Sequence, residues 1–468
     1  MKLAVVVQRY GAEINGGAEL HARYIAERLA RHANVEVVTT CARDYVSWKN
    51  ELPPGVEQVN GITVRRFPVA HERTPYDFGR RSNRVFDRVH SIADELAWLD
   101  SEGPASRALV QYVEGAAADF DFVLLFSYRY YHAWHLARRI PGKAVIVPTA
   151  ERDEAIGLSI FGPVLRGVRG LMYNSPEERA MIGAAAGNDN VPGVVVGVGS
   201  DVPSRTEPER FRRTFRMNRP FAIYIGRIDE NKGCGELFSH FQRYAAAFPR
   251  GLDLVLVGSA IMEVPKHPRI HHLGFLDDRD KFDALAAADL LIMPSYYESL
   301  SMVALEAWAL GRPVLANGRC DVLKGQSIRS NAGLYYESYE EFVEALYSLE
   351  SNGPLNARLG RNGREYFRQN YAWPVIERKY LEMFDRLKKE RPPKELPPKG
   401  GSSGMEPPPG WFARHRRDLR PSREVLAEIP RGPAVRRDAP PELDLPPEGG
   451  RRQGTSRGGS HQGTRRSA

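Results

Sequence analysis

The chain has 468 residues, 42% of them hydrophobic, which is enough for two domains with their own cores. Its three cysteines form no CxxC pair, so a disulfide-stapled secreted scaffold is excluded and a reducing cytoplasm is favoured. The apolar run after Met1 is too short for a signal peptide, and no run approaches the roughly 20 apolar residues of a membrane span.

The net charge of +8 comes from the C-terminal part of the chain. Residues 388–468 hold 18 of the 66 basic and 10 of the 58 acidic residues, which leaves 48 of each sign in the remainder. The tail over 390–468 is rich in Pro, Gly and Arg, a composition that cannot bury a core. We therefore predict that 390–468 is disordered, with at most a fragmentary helix in Trp411–Ile429.

Apolar strands alternate with helical segments along the first half of the chain, which is the pattern of a parallel α/β sheet. The first strand is followed by a glycine-rich loop and by a helix predicted over Gly17–Arg31. Gly16 and Gly17 let the backbone of that loop approach a ligand closely. The apolar spacing further on predicts a single helix over Asn83–Leu99.

Basic residues are clustered between Tyr76 and Arg88, around the start of that helix. A positive surface attracts anionic lipid headgroups. The cluster and the basic tail are candidates for peripheral contact with the inner face of a membrane, and an ordinary solvated helix face is the more frequent alternative.

Residues 201–218 contain prolines and many charges and are predicted to link two domains. The strand that follows ends at Gly226, and Arg227 and Lys232 come after it, at the strand end where α/β sheets bind ligands. Two cations there match the charge of a diphosphate, which an arginine binds in bidentate fashion. Gly258 ends the next strand in the same way.

The clearest unit is the stretch 289–316, which reads as strand, polar loop, helix and second strand. A buried apolar run opens it, Gly311 is placed to end the helix, and Pro313 prevents its continuation. Such a unit belongs in a parallel sheet, where ligands bind beside the loop and the helix N-terminus.

The loop and helix of this stretch carry groups for a phosphate and for sugar rings. Backbone N–H groups of Ser299, Leu300 and Ser301 lie at the predicted helix N-terminus, which suits a phosphate. Glu298 and Glu306 lie on either side, and a carboxylate accepts from both hydroxyls of a sugar diol. The stretch can therefore hold two sugar-like rings with a phosphate between them, as in a nucleotide-sugar.

The spacing Glu298-x7-Glu306, followed by EAWALGRPVLA, resembles the signature of the retaining GT-B glycosyltransferases of the GT4 family. The GGAE loop that starts at Gly16 and the GR-x4-KG run that contains Arg227 and Lys232 are similar to the same family. The resemblance implies an α/β protein of the GT-B class, with two Rossmann-like doubly wound domains that face each other across a cleft.

The resemblance also divides the chain into parts. It implies an acceptor-side Rossmann-like domain over 1–203 and a nucleotide-sugar-binding Rossmann-like domain over 204–371. A C-terminal helix over 372–389 would return to the first domain, and the disordered basic tail over 390–468 follows.

The activity implied by the resemblance is retaining transfer of a sugar from a UDP- or GDP-linked donor to a glycan or lipid-linked acceptor, without a metal. Cell-surface polysaccharide or lipopolysaccharide biosynthesis is the usual destination. As catalytic residues, Arg227 and Lys232 would stabilise the leaving diphosphate and Glu298 would orient the donor sugar. Glu306 would hold the ribose. The implied donor-binding residues are Gly16, Gly17, Gly226, Gly258, Ser299, Leu300, Ser301 and Glu306.

The chain departs from the family in two loops. Ser299 and Ser301 stand where the family usually has glycines, which keeps the backbone donors and narrows the sugar pocket. The loop 149–154 lacks the histidine that faces the donor sugar in similar sequences, and its charged residues are Glu-Arg-Asp-Glu. We assign Asp153 and Glu154 of this loop to the acceptor side.

Three other functions use similar groups. A glycoside hydrolase also needs two carboxylates, but it needs no diphosphate clamp, so Arg227 and Lys232 speak against it. A nucleotide-sugar epimerase of GT-B shape would turn over donor without acceptor. A non-catalytic binding protein would hold the nucleotide and never release sugar. Nucleic acid is not an expected partner.

Overall fold

The strands of the chain form two sheets, one of eight strands and one of six, in a computed structural model that describes residues 1–14, 16–390 and 418–432. Apolar side chains are buried on both faces of each sheet, and alternate residues of one strand point into different cores. This two-sided burial explains why the strands read as continuous apolar runs in the sequence. The predicted pair of doubly wound sheets is confirmed.

The N-terminal sheet is parallel except for one hairpin. Its strands are β1 (Lys2–Val6), β2 (Asn34–Thr40), β3 (Gly55–Val59), β4 (Ile62–Phe67), β5 (Phe122–Phe126), β6 (Ala144–Val147), β7 (Gly170–Tyr173) and β8 (Gly193–Val195). The strand order is β3-β4-β2-β1-β5-β6-β7-β8, and only β3 and β4 pair in antiparallel fashion.

The C-terminal sheet is entirely parallel. Its strands are β9 (Phe221–Ile225), β10 (Asp253–Val257), β11 (Ile270–His272), β12 (Leu290–Met293), β13 (Val314–Asn317) and β14 (Gly333–Tyr336). The order β11-β10-β9-β12-β13-β14 places the strand order reversal between β9 and β12. Ligands bind at such a switch point, beside the carboxyl ends of the two strands.

The helices connect these strands along the chain. Those around the N-terminal sheet are α1 (Gly17–Leu29), α2 (Pro75–Asp87), α3 (Ile92–Glu102), α4 (Arg107–Gly115), α5 (Tyr131–Arg139), α6 (Phe161–Gly167) and α7 (Pro176–Ala186). The later helices are α8 (Pro208–Thr214), α9 (Cys234–Ala247), α10 (Asp278–Ala287), α11 (Met302–Ala309), α12 (Asp321–Ser330), α13 (Tyr339–Ser351), α14 (Gly353–Asn370), α15 (Trp373–Lys389) and α16 (Ser422–Glu428). In the described part of the chain, no helix combines the length and the apolar character that crossing a membrane requires.

One predicted helix is wrong. The single helix expected over Asn83–Leu99 is two helices, because Ser91 and Asp94 form a capping box that starts α3 anew. The linker expected over 201–218 contains helix α8, which Arg210 fastens to α10 through bonds to Asp280 and Asp283.

Helix α15 returns to the N-terminal sheet. In α15, Phe384 stacks on Phe122 of β5 with 5.2 Å between the ring centroids. The prediction of a disordered tail over 390–468 is wrong for residues 418–432, which contain α16 and pack on the body. The fragmentary helix expected in Trp411–Ile429 is confirmed by α16. The other residues of that tail lie outside the described ranges.

Candidate functional site

A lysine–glutamate ion pair lies where the carboxyl ends of β9 and β12 meet. Lys232 Nζ is 2.8 Å from Glu298 Oε1 and 3.4 Å from the backbone oxygen of Tyr297. β9 and β12 are neighbouring strands, so the loops that follow them are brought side by side. The two side chains are 28% and 13% exposed and remain accessible to a ligand. The structure thus brings together two of the three residues predicted to be catalytic.

The surroundings of Lys232 fix its charge. Burial alone would lower the pKa of Lys232, but the carboxylates of Glu298 and Glu151 outweigh this effect and hold that pKa above its ordinary value. Lys232 is therefore fully protonated at neutral pH. A permanent positive charge is the state that a phosphate-binding lysine needs.

Arg227, the third residue predicted to be catalytic, is held by a different partner. Its guanidinium contacts the carboxylate of Asp229, and 53% of its side chain is exposed. Asp229 is buried, and its second oxygen accepts the backbone N–H of Lys232 at 2.9 Å. Asp229 therefore shapes the loop that presents Lys232. Sequence reasoning missed Asp229, although the spacing Arg-x-Asp-x-x-Lys was available as a signal.

Of the four glycines predicted to bind the donor, Gly258 lies where two backbone segments approach closely, and Gly17 has open space around it. Gly258 has φ +137°, and a Cβ there would overlap the backbone oxygen of Gly226, so the loops after β9 and β10 touch. Gly16 directly precedes Gly17, the first residue of α1, and a Cβ at Gly16 would overlap the carboxylate of Glu19. Contact between these glycines and a donor stays a prediction.

The N-terminus of α11 carries the residues predicted to face a phosphate. Ser301 is the N-cap, and its Oγ accepts from the N–H of Ala304 at 3.4 Å. Its backbone is left-handed, with φ +70°, a conformation that favours glycine. Leu300 is buried, and Ser299 Oγ accepts from Asn174 Nδ2 at 3.3 Å. Serine at 301 therefore strains the backbone, which the sequence comparison with the family did not predict.

Glu306 lies in α11, with only 6% of its side chain exposed. Its Oε1 accepts from Ser200 Oγ at 2.9 Å and lies 3.2 Å from Lys281 Nζ. Its Oε2 is buried and has no hydrogen-bond partner among the described residues. A buried carboxylate oxygen without a donor is costly. This oxygen is therefore suited to accept hydroxyl groups of a ligand.

The two residues assigned to the acceptor side take part in ion pairs within the protein. Asp153 contacts Arg129, whose Nε is 2.7 Å from Glu102 Oε1. Asp153 Oδ1 also accepts the N–H of Ala155 at 3.1 Å and so caps a short 3₁₀ turn. Glu154 Oε1 accepts from an arginine of the C-terminal segment at 2.9 Å. Both carboxylates are thus occupied by the protein, and their role in acceptor binding stays a prediction.

Glu151 is the residue of the same loop whose charge couples to the ion pair of the site. It is partly buried, and this burial, together with the carboxylates of Glu298 and Asp153, raises the pKa of Glu151 to about 7 against the opposing effect of Lys232 and Arg129. Sequence reasoning noted the loop but gave Glu151 no role. The structure makes it a titrating neighbour of Lys232 and Glu298.

Replacing Glu151 with glutamine is expected to raise thermal stability above pH 7 and to change it little at pH 5. The pKa of about 7 in the folded protein lies above the ordinary value, so the fold prefers the neutral acid. Ionisation of Glu151 therefore lowers the free energy of unfolding. This loss is absent below the ordinary pKa of a glutamate and complete above pH 7. Melting curves from pH 5 to 8 test this, with an expected difference of about 2 °C at pH 8.

The exposed Glu72 provides the control for this comparison. Glu72→Gln should leave the melting temperature unchanged at both pH values. Equal differences between wild type and Glu151→Gln at pH 5 and pH 8 would contradict the raised pKa.

Contacts between loops of the two sheets complete the site. Asn174 follows β7 and reaches Ser299, while Ser200 follows β8 and reaches Glu306. Both donors come from the N-terminal sheet, and both acceptors belong to the loop and helix after β12. Sequence reasoning missed Asn174 and Ser200, because no local pattern marks a polar residue whose partner lies more than a hundred positions away.

The charged groups of the site are arranged as ion pairs. Among residues 1–14, 16–390 and 418–432, no three His, Cys, Asp or Glu side chains are grouped so that they could hold a metal ion. The expectation that the reaction needs no metal stays a prediction.

Residues 205–366 match the profile of the family Glycosyl transferases group 1. This part of the chain belongs to the group 1 glycosyltransferases. Domains of this family are found in glycosyltransferases, which is the class of enzyme predicted from the sequence.

Two curated relatives match part of the chain. Alpha-maltose-1-phosphate synthase of Mycobacterium tuberculosis is 26% identical over 207 residues, which are 40% of this chain and 52% of that protein. The lipopolysaccharide core biosynthesis glycosyltransferase LpsE of Rhizobium meliloti is 28% identical over 175 residues, 35% of this chain and 49% of LpsE. The chain spans about half the length of these relatives.

Solved structures match the chain along most of its length. Anabaena HepE, in complex with UDP-glucose, has a TM-score of 0.59 at 18% identity and covers 82% of this chain and 100% of HepE. Sucrose-phosphate synthase of Thermosynechococcus elongatus has a TM-score of 0.62 at 16% identity, with 83% and 99% covered. The predicted GT-B fold is confirmed by these similarities.

Proposed function

We propose that this protein is a retaining glycosyltransferase of the GT4 family, which transfers a sugar from a UDP- or GDP-linked donor to a glycan or lipid-linked acceptor. The observation that carries the proposal is the pair of carboxylates on one loop and helix. Glu298 is paired with Lys232, and Glu306 keeps one buried oxygen without a partner in the described part of the chain. The group 1 domain and the UDP-glucose bound to HepE support a nucleotide-sugar donor.

The diphosphate of the donor would lie between Lys232 and the N-terminus of α11. Lys232 supplies a full positive charge, and the first backbone N–H groups of α11 supply unpaired donors. Negative charge grows on the leaving diphosphate in the transition state, so these groups act where the charge develops. Arg227 is exposed on the same loop as Lys232 and would close onto the diphosphate when the donor binds. In this arrangement the two cations take the place of a metal ion.

The two carboxylates would hold the two rings of the donor. Glu306 Oε2 would accept hydrogen bonds from the ribose hydroxyls. This buried oxygen would then no longer lack a donor. When Lys232 moves to the diphosphate, Glu298 is released to accept hydroxyls of the transferred sugar. The leaving phosphate would take the proton of the attacking acceptor hydroxyl, as in retaining enzymes of this type.

The acceptor is proposed to be a growing cell-surface polysaccharide or lipopolysaccharide. The similarity to a lipopolysaccharide core glycosyltransferase supports this destination. We place the reaction in the cytoplasm, in keeping with three free, buried cysteines. Peripheral contact with the inner face of a membrane belongs to the proposal as well, although Arg80 and Arg81 of the basic cluster are paired with Asp77.

Replacing Glu306 with glutamine is expected to weaken binding of the matching nucleoside diphosphate about tenfold. A hydrogen bond to a charged acceptor contributes about 1.4 kcal/mol more than one to a neutral acceptor, which is tenfold in affinity. Thermal shift with UDP, GDP and ADP, without added metal, is the measurement. At a hundred times its dissociation constant, the matching nucleotide should stabilise the wild type by about 2.7 kcal/mol and the variant by about half as much.

The exposed Glu340 is the control position, and Glu340→Gln should show the full shift. A wild type that none of the three nucleotides stabilises would overturn the donor site. Binding of a nucleotide without any release of sugar from its nucleotide-sugars would favour a binding protein, and turnover without an acceptor would favour an epimerase.

A further inference from the structure

The C-terminal segment of residues 418–432, here called the strap, lies across the loop 151–157 that follows β6. At its start, Leu419 exchanges two backbone hydrogen bonds with His90, at 3.0 and 2.7 Å. Arg423, in α16, pairs with Asp87 at the end of α2 and with Glu154 in the loop. The strap therefore occupies Glu154, one of the two residues that the sequence had placed on the acceptor side.

The strap packs on this loop at close range. Ser422 is fully buried, and a Cβ at Gly157 would overlap the backbone oxygen of Ser422 and come within 3.2 Å of its Cβ. Ile429 is buried in the apolar core of the N-terminal sheet. Glycine at 157 is thus required by the presence of the strap, and its φ lies outside the left-handed range. Contacts of this kind indicate a permanent element of the fold.

Arg152 holds the end of α16. Its guanidinium donates to the backbone oxygens of Leu426 at 3.2 Å, Pro430 at 3.1 Å and Ile429. The last carbonyl groups of a helix have no partner within the helix, so a cation there satisfies several of them at once. Arg152 is therefore the main fastening of the strap to the loop.

The end of the strap reaches the C-terminal sheet. The backbone N–H of Gly432 donates to Asp321 Oδ2 at 3.3 Å, and Arg431 donates to the backbone oxygen of Arg319 at 3.2 Å. Arg152 itself lies 3.9 Å from the carboxylate of Asp321. The loop after β13, which contains Arg319, adjoins the loop that carries Glu298. The strap thus bridges the two sheets beside the donor site.

We propose that the strap is a wall of the acceptor site and that Arg152 is the residue that positions it. This proposal rests on the proposed function, because it concerns the acceptor side of the same cleft. The wall restricts which hydroxyl compounds reach the donor sugar and limits access of water, which would otherwise hydrolyse the donor. Releasing the strap should therefore raise hydrolysis without changing the affinity for the nucleotide, whose site lies on the C-terminal sheet.

Two variants of the full-length chain release the strap by different means. Arg152→Ala removes the bonds to the end of α16, and Gly157→Ala places a methyl group against Ser422. Arg420→Ala is the matched control, because Arg420 pairs with Glu428 inside the strap. Hydrogen exchange followed by mass spectrometry should show exchange in residues 418–432 at least tenfold faster in both variants and unchanged in the control.

The buried thiol of Cys320 reports whether the strap covers the cleft. Cys320 directly precedes Asp321, to which the strap is bonded, while Cys41 and Cys234 are buried elsewhere and serve as internal references. Labelling with N-ethylmaleimide, read for each cysteine by peptide mass, should become about fivefold faster at Cys320 alone in the two variants.

The effect of the strap on function is measured as the rate of hydrolysis of UDP-glucose and GDP-mannose, with water as the only acceptor. Arg152→Ala and Gly157→Ala should hydrolyse the accepted donor about fivefold faster than the wild type and the control, with nucleotide dissociation constants within twofold. The proposal that the strap is a wall would be overturned if a variant with rapid hydrogen exchange in the strap hydrolysed the donor no faster than the wild type. Unchanged hydrogen exchange in both variants would also overturn it. If no nucleotide binds to the wild type, the proposed function has failed, and exchange and Cys320 labelling alone decide whether the strap covers the cleft.

Discussion

Replacing Lys232 with alanine is expected to slow glycosyl transfer by about 100- to 1,000-fold. A preorganised donor that faces developing charge contributes about 3–4 kcal/mol to transition-state stabilisation, and each 1.4 kcal/mol is tenfold in rate. Lys232 meets the requirements of such a donor, since its charge is permanent and Asp229 fixes the loop beneath it. The measurement is kcat/KM for transfer, with the donor identified by thermal shift.

The unpaired carboxylate left by this change needs its own control. Lys232→Ala leaves Glu298 without its ion-pair partner, so part of the loss would come from repulsion between this carboxylate and the diphosphate. The double variant Lys232→Ala/Glu298→Gln removes that repulsion, and the cycle of single and double variants isolates the contribution of the pair. The exposed Lys266 supplies the surface control, as Lys266→Ala. Losses below tenfold for both Lys232→Ala and Glu298→Ala would refute the roles of the pair.

The parts of the site that could be predicted are those defined by short stretches of sequence. The strand, loop, helix and strand of 289–316 were predicted nearly to the residue, because apolar runs mark β12 and β13 while Gly311 and Pro313 mark the end of α11. The proximity of Lys232 to Glu298 followed from the rule that ligands bind at the carboxyl ends of the strands of such a sheet, whereas the ion pair between the two side chains was not predicted.

The parts that could not be predicted depend on contacts between distant residues. Ser200 and Lys281 satisfy one oxygen of Glu306 and leave the other for a ligand, yet neither residue has a distinctive neighbourhood in the sequence. Glu154 was assigned to the acceptor because it lies in the right loop, but its carboxylate is taken by Arg423, 269 positions away. Composition predicted that the tail lacks a core of its own. It could not reveal that one short segment completes the core of another part of the fold.

Glu178 has a structural role beyond the helix cap that its position in the sequence indicates. Its position three residues after Ser175 predicts a helix cap, and the N–H of Glu178 does donate to Ser175 Oγ at 3.1 Å. Its carboxylate, however, also accepts the backbone N–H of Ala150 at 2.6 Å and that of Asn174. Ala150 directly precedes Glu151, and Asn174 is the residue that bonds Ser299. Glu178 therefore ties together two loops of the site from behind.

Replacing Glu178 with alanine is expected to lower the free energy of unfolding by about 3 kcal/mol. Both N–H groups would be left buried without an acceptor, and each such group costs about 1–3 kcal/mol. Denaturant unfolding gives the stability, and the same variant should lower transfer more than nucleotide binding, because the loops that it loosens belong to the N-terminal sheet.

Glu178→Gln separates the loss of these hydrogen bonds from the loss of charge. Burial raises the pKa of Glu178 to about 8, although the N–H groups of Asn174 and Ala150 oppose the rise. Glutamine is neutral and keeps one accepting oxygen, and we expect about half of the loss seen with alanine. Arg179 lies exposed on the same helix, and Arg179→Ala should stay within about 0.5 kcal/mol of the wild type. A loss for Glu178→Ala as small as that of Arg179→Ala would mean that the two loops keep their positions without Glu178, and that Asn174 and Glu151 are placed by the strands before them alone.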